Sequence, residues 1–367
     1  MTDMVRAAVQ VAPGQMELRE FPRPKTGPDD GLLRVEANGI CGSDVETFRG
    51  HMGGPRPAFI PGHEPLGIIE EIGERAAERF GVQPGDRVAV EVIVPCRACE
   101  DCLTGRYQFC RNRKYGHGVT GIDTAPALWG GLAEYMYISP TSVLHKMDKS
   151  LPAELAAMYN SLGAGVRWAC HLGGVGLGDT VLVLGAGQRG IAAVVAARAA
   201  GAGTIIITGL EADAHKLAMA REFGADHTVM VDGDGGEDIV RRVEEITGGE
   251  MADVVLELTP MAAGPVSDAM LTARRGGTVV LAGLKGNREI PLRTDLIINR
   301  ALTVRGAFGV DSKGMADAIA LLESRRFPLE RMHTHTFGLE DTALAIETLG
   351  GDVPGEHAIH VSVHPNL

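Results

Sequence analysis

An α/β protein of two domains, one mainly β and one a doubly wound parallel sheet, is predicted by three observations. The chain is 367 residues long, enough for two hydrophobic cores. Its rhythm changes near residue 150 from short strands and turns to alternating strands and helices. A glycine fingerprint then falls between a strand and a helix, where a dinucleotide fold needs it.

The first half contains the β-like runs "VRAAVQVA", "GLLRVEANG", "LGIIEEIG" and "DRVAVEVIV", punctuated by Gly, Pro and Asp. "GGLAEYMYISP" reads as another strand entry. From about residue 151, the strands "DTVLVLG", "GTIIITG", "HTVMVD", "ADVVLEL", "GGTVVLAG" and "ALTVRGAFG" are separated by helical segments such as "QRGIAAVVAARAAG" and "DAHKLAMAREFG". Strict βα alternation implies a parallel sheet with helices on both faces. The tail, with helical "GMADAIALLESR" and β-like "HAIHVSVH", is expected to fold back on the first half. The expected division is therefore residues 1–158 with 305–367, and 159–304.

Composition excludes several function classes. With 45% hydrophobic and 22% charged residues, the chain has the make-up of a soluble globular protein. A net charge of −12 argues against nucleic acid or an anionic membrane as the main partner. No uninterrupted apolar stretch is long enough to span a bilayer. "MTDMVRAAVQV" lacks an apolar signal core, so the cytoplasm is the expected compartment. The six cysteines there read as metal or catalytic sites before disulfides.

In "VLVLGAGQRGIAA", Gly185 permits a tight turn, Gly187 lets a pyrophosphate approach the backbone, and Gly190 allows close helix packing. Gln188 and Arg189 open the helix beside them and belong to the expected cofactor site. Glu211 ends the next strand about twenty residues on, where an acid hydrogen-bonds the adenosine ribose and repels a 2′-phosphate. Ala212, not an arginine, follows it, and NAD is the expected cofactor.

"CRACEDCLTGRYQFC" brings Cys96, Cys99, Cys102 and Cys110 close together. Four thiolates can surround one tetrahedral zinc with no open position, which makes a structural site. An iron–sulfur cluster or a disulfide pair is the competing reading. Arg97, Arg106, Arg111, Arg113 and Lys114 lie along the same loop and are expected to offset its negative charge. Cys170 reads as a small buried hydrophobe, and His51, His117, His333 and His335 as surface or packing residues.

"NGICGSDVETF" and "PGHEPLG", with "GVQPGDRV", the cysteine lobe, "GGLAEY" and "GGTVV", complete a pattern over essentially the whole chain. In it the chain resembles the zinc-containing medium-chain dehydrogenase/reductases, the alcohol, sorbitol and threonine dehydrogenase group. The resemblance implies a GroES-like catalytic domain, a Rossmann cofactor domain, a catalytic and a structural zinc, and a homodimer or homotetramer. The substrate it implies is a small-molecule alcohol or carbonyl compound. By position, Cys41 and His63 match ligands of the catalytic zinc, and Glu64 an acidic neighbour that ligates it in some members. Ser43 matches the hydroxyl that takes the substrate proton, and Asp44 the carboxylate that orients the histidine. Glu46 stands where many relatives carry a relay histidine. Asn160, in "YNSLGAG", stands where the family's third ligand is Cys, Asp or Glu. An amide is a neutral, weaker donor, so either Glu64 completes the set or Asn160 serves as a weak ligand or substrate partner. A metal-poor reductase and a cofactor-binding protein without turnover are the alternative functions.

Overall fold

The computed structural model describes residues 4–54, 56–232, 236 and 238–367. The chain opens with the hairpin β1 (Met4–Ala12) and β2 (Gln15–Pro22). It continues through β3 (Gly31–Ile40), β4 (Pro65–Ile72), β5 (Arg87–Val90), the short β6 (Ile93–Val94) and β7 (Tyr115–Gly116), β8 (Tyr135–Ile138) and β9 (Leu144–Lys146). Next come β10 (Thr180–Leu184), β11 (Thr204–Gly209), β12 (His227–Met230), β13 (Ala252–Glu257), β14 (Ala273–Leu281) and β15 (Thr303–Gly306). β16 (His333–Phe337) and β17 (His360–Val363) close the chain.

These strands form two main sheets, each within its own compact unit. One is a seven-stranded sheet of order β16-β17-β3-β4-β5-β9, with β8 also pairing β3. β3 is paired along both edges, which explains why it reads as an almost continuous apolar run. The other sheet is parallel throughout, in the order β12-β11-β10-β13-β14-β15. Its strands carry Leu182, Ile206, Val229, Val255 and Val279 in one buried core, with helices supplying the cover. Such a sheet places its ligand crevice at the carboxyl ends of β10 and β13, where strand order reverses.

The first unit comprises the chain through Asn160, Ile319–Arg325 and Leu329–Leu367; the second is Ser161–Ala318 with Arg326–Pro328. The chain re-enters the first unit at Ile319, later than residue 305. β15 completes the parallel sheet against β14 in the second unit, and the helix Ser312–Glu323 starts among residues of that second unit: Gly314 lies 3.2 Å from the carbonyl of Gly163, measured from an added Cβ. Among the described residues, no helix is long and apolar enough to cross a membrane.

Candidate metal and dinucleotide sites

The end of β3 organises the first site. Cys41 is the N-cap of the helix Gly42–Phe48, and its backbone N–H donates to Asp44 Oδ2 at 2.9 Å in a capping box. Asp44 thereby caps the helix and, through Oδ1, holds His63 Nδ1 at 3.1 Å. That contact assigns a proton to Nδ1 and leaves the Nε2 lone pair for another partner. Burial disfavours the charged imidazolium, but Asp44 and Cys41 together raise the His63 pKa well above the usual histidine value, so a metal ion on Nε2 would have to displace a proton there.

Cys41, His63 and Glu64 bring one ligand atom each to within 4.8 Å of one another. Cys41 and Glu64 are buried, and Glu64 Oε1 lies 3.9 Å from His63 Nε2. Gly39 makes room for that carboxylate: a Cβ there would sit 2.6 Å from Glu64 Oε2. Ser43 Oγ reaches both Cys41 Sγ at 3.1 Å and His63 Nε2 at 3.3 Å, so the predicted hydroxyl lies inside the donor set. A thiolate, an imidazole and a carboxylate with partial burial suit zinc.

Asn160 is 3% exposed, and its Oδ1 has no hydrogen-bond partner among the described residues. A buried amide oxygen left bare carries a desolvation cost that a ligand on it would relieve. Its neighbour Tyr159 is fully buried and donates to the carbonyls of Val90 at 2.8 Å and Pro65 at 3.2 Å. Because Pro65 directly follows Glu64, this hydroxyl ties the Asn160 segment to the His63–Glu64 segment. Burial first, then the charges of Glu64 and Glu91, push the Tyr159 pKa well up, so it stays a donor. Sequence reasoning missed Tyr159; its position beside the altered ligand was the available signal.

Glu46 has an imidazole partner after all. Its Oε2 lies 2.9 Å from Nδ1 of His51, while Arg49 Nη1 approaches Oε1 at 3.5 Å. His51, read from sequence as a surface or packing residue, is exposed but engaged. Arg49 is anchored in turn on Asp352 at 2.7 Å and on the carbonyl of Gly350.

The four-cysteine lobe differs in kind. Sulfur–sulfur separations are 3.5 Å for Cys99–Cys102 and 3.9 Å for Cys96–Cys102 and Cys99–Cys110. Zinc–sulfur bonds of ~2.3 Å in a tetrahedron require ~3.8 Å between sulfurs. All four cysteines are free, so the disulfide reading fails, and a cubane cluster would hold its thiolates farther apart. Backbone N–H groups of Ala98 and Cys99 point at Cys96 Sγ and lower its pKa to about 6, which favours the thiolate. The basic residues do less here than expected. Arg106 and Arg111 bind Asp101, each at 3.1 Å, and Arg97 binds the carbonyls of Thr141 and Ser142.

In the second unit, Gly185 (φ +110°) turns the chain out of β10, and Gly187 caps the helix Gln188–Ala200. No side chain caps that helix, and open space surrounds the position a Gly187 Cβ would take. A helix N-terminus without a side-chain cap, with room beside its N-cap glycine, suits an anion such as a pyrophosphate. At Gly190 a Cβ would lie 2.0 Å from the Gly185 carbonyl, which explains the third glycine. Gln188 is buried at the start of that helix, and the Arg189 guanidinium lies over the Trp168 ring at 5.3 Å. Glu211 follows β11 and is exposed, with its N–H donating to Asp232 Oδ1 at 2.7 Å.

A buried thiolate–imidazole–carboxylate centre in one unit and a dinucleotide-type sheet in the other define a metal- and nucleotide-binding class of protein. Sequence comparison narrows it. The family described as "Alcohol dehydrogenase GroES-like domain" matches residues 27–149, and "Zinc-binding dehydrogenase" matches 190–324. A Mycobacterium tuberculosis protein named "Probable alcohol dehydrogenase" is 41% identical over 367 residues, 99% of both chains. Rat sorbitol dehydrogenase is 32% identical over 339 residues, 92% of this chain and 90% of its own. Among solved structures, a zinc-binding dehydrogenase from Sinorhizobium meliloti bound to NADP superposes with a TM-score of 0.84 at 28% identity, covering 99% of this chain and 100% of its own. A Thermus alcohol dehydrogenase gives 0.84 at 27%, covering 98% and 99%. The chain belongs to the zinc-containing medium-chain dehydrogenase/reductases.

Proposed function

We propose that this protein oxidises an alcohol, a secondary alcohol or polyol foremost, to a ketone or aldehyde with NAD, or runs the reverse reduction. The observation that carries the reading is Ser43 Oγ lying within 3.3 Å of both Cys41 Sγ and His63 Nε2, a proton acceptor built into a metal-ligand set. Cys41, His63 and Glu64 would hold the catalytic zinc, with the buried, unpartnered Asn160 Oδ1 as a further candidate donor, and the four-cysteine lobe would hold a structural zinc. When bound, the zinc supplies Lewis acidity and the nicotinamide takes up the hydride. Ser43 takes the proton that the substrate hydroxyl loses. Three residues on along the helix Gly42–Phe48, Glu46 is paired with the exposed His51, and this pair replaces the relatives' histidine as the outlet for that proton. Ketone or aldehyde, reduced cofactor and one proton released to water balance the reaction.

NAD, not NADP, is the proposed cofactor. Asp232 Oδ1 accepts from the N–H of Glu211, so two acidic residues stand together after β11, where negative charge would disfavour a 2′-phosphate. The cytoplasm as compartment and a homodimer or homotetramer as assembly complete the proposal. Zinc-loaded protein is mixed with NAD or NADP and a panel of secondary alcohols and polyols, and reduced cofactor is followed by absorbance. Turnover with NAD is expected to exceed that with NADP by about tenfold or more. Faster turnover with NADP would overturn the cofactor assignment, and no turnover with any alcohol would overturn the reaction. The metal-poor alternative predicts one zinc per chain in elemental analysis where this reading predicts two.

A further inference from the structure

Glu257, the last residue of β13, is a fully buried carboxylate in the second unit. Its Oε1 accepts from the Thr259 N–H at 3.0 Å, from the Thr259 hydroxyl, and from Lys285 Nζ at 2.9 Å. Lys285 also donates to the carbonyl of Thr259, and its side chain is only 11% exposed. The other oxygen, Oε2, is buried without a hydrogen-bond partner among the described residues. A buried ion pair with a bare oxygen is a poor source of stability, because its desolvation cost rivals its attraction. Its location suggests what it is for instead.

β10 and β13 are the neighbouring strands at which the order of the parallel sheet reverses. A dinucleotide whose pyrophosphate lies at Gly187 has its adenosine half on the β11 side, and its other half must cross toward β13 and β14. Thr259 already borders the fingerprint: a Cβ on Gly185 would meet its Cγ2 at 3.1 Å. Lys285, from the loop after β14, is bonded to the loop after β13, and Met261 N–H donates to the Leu284 carbonyl at 2.8 Å beside it.

We propose that Lys285 is a positioning residue for the dinucleotide: by clamping Glu257 and Thr259 it fixes the two loops that receive the nicotinamide-bearing half. This rests on the dinucleotide reading given above. The test compares NADH with ADP, which carries only the adenosine and pyrophosphate part, by calorimetric titration of the full-length protein. Lys285→Met should weaken NADH binding by about ten- to a hundredfold, the worth of a charge-assisted contact, and leave ADP within about twofold. Lys285→Arg should recover part of the loss. A stranded Glu257 could unfold the single variant, so Glu257→Gln/Lys285→Met, which removes both charges together, is titrated in the same way. An equal loss for NADH and ADP, or no loss for either, overturns the proposal. Wild-type protein that binds NADPH in place of NADH refutes only the cofactor preference, and the comparison is then read on NADPH. Binding of neither refutes the dinucleotide reading itself and this proposal with it.

Discussion

The two thiolate-bearing sites of the first unit solve opposite problems. In the lobe, one kind of donor is repeated four times within a single loop, at separations that fit one closed tetrahedron. At the Cys41 centre, three kinds of donor come from two segments, and the Ser43 hydroxyl lies beside them. A closed cage of like donors gives stability and leaves nothing for chemistry to use. A mixed set with Ser43 inside it would hold a metal less firmly and would leave room for a substrate oxygen. The difference shows in burial too, since Glu64 is wholly enclosed whereas Cys96, Cys99 and Cys102 are partly exposed.

The comparison breaks first at the lobe. Structural zinc contributes on the order of 10 kcal/mol of coupled folding energy. Cys99→Ser should therefore remove one of two zincs and lower the melting temperature by roughly 10 °C or more. Metal analysis and calorimetry on the same sample check this, and unchanged zinc content with unchanged stability would contradict it.

The next largest effect belongs to Glu64. If it supplies the carboxylate that residue 160 lacks, Glu64→Gln should weaken the Cys41 site by about a hundredfold and leave the lobe loaded. Activity should fall with that one metal. Retention of both zincs and of full activity would demote Glu64 to a neighbour of the site.

Much of this contrast was legible in the sequence because each motif is local. The lobe lies in one loop, the fingerprint in one turn, and "GICGSD" and "GHE" each carry their own ligand. The parallel direction of the cofactor sheet follows from βα alternation; its strand order does not. Contacts between distant segments were not legible. "HAIHVSVH" reads as a strand that folds back on the first half, but nothing in it says that its partner is β3, some three hundred residues earlier, or that His360 meets His333. The Lys285–Glu257 pair is invisible for the same reason. The pairing of Glu46 with His51 is nearer in sequence, yet it depends on how the chain leaves the helix at Arg49. The late re-entry at Ile319 escaped because "GMADAIALLESR" reads as one helix with no mark of where its contacts change.

Acid also tests the first unit through its buried histidines, read as a difference between variants because thiolate-bound zinc leaves in acid as well. Burial holds His117 and His333 at about 4, and His360 at about 3. His360 lies on β17, with Nδ1 3.0 Å from Nδ1 of His333 on β16. In the unfolded chain each histidine binds its proton near 6.5. The native stability is thus complete above about pH 6.5 and falls as the pH drops toward 4, since only the unfolded state gains protons there. His360→Asn should flatten that fall by about 2 kcal/mol or more between pH 6.5 and 4 in denaturant titrations. An unaltered slope would mean that His360 is not buried neutral.

The smallest and most telling change is Asn160→Glu. The segment is fixed by Tyr159 on the carbonyls of Pro65 and Val90, so a carboxylate at 160 would replace the buried, unpartnered amide oxygen without moving the backbone. Zinc with one thiolate, a neutral imidazole and one carboxylate is about neutral; a second carboxylate makes it about −1. Retention against a mild chelator should improve by about tenfold. Turnover should not improve with it, because a more electron-rich metal is a weaker Lewis acid and lowers an alcohol's pKa less. Tighter metal with equal or slower turnover would show the amide to be part of what keeps this centre reactive. Unchanged zinc retention would mean that residue 160 does not reach the metal, and Cys41, His63 and Glu64 hold it alone.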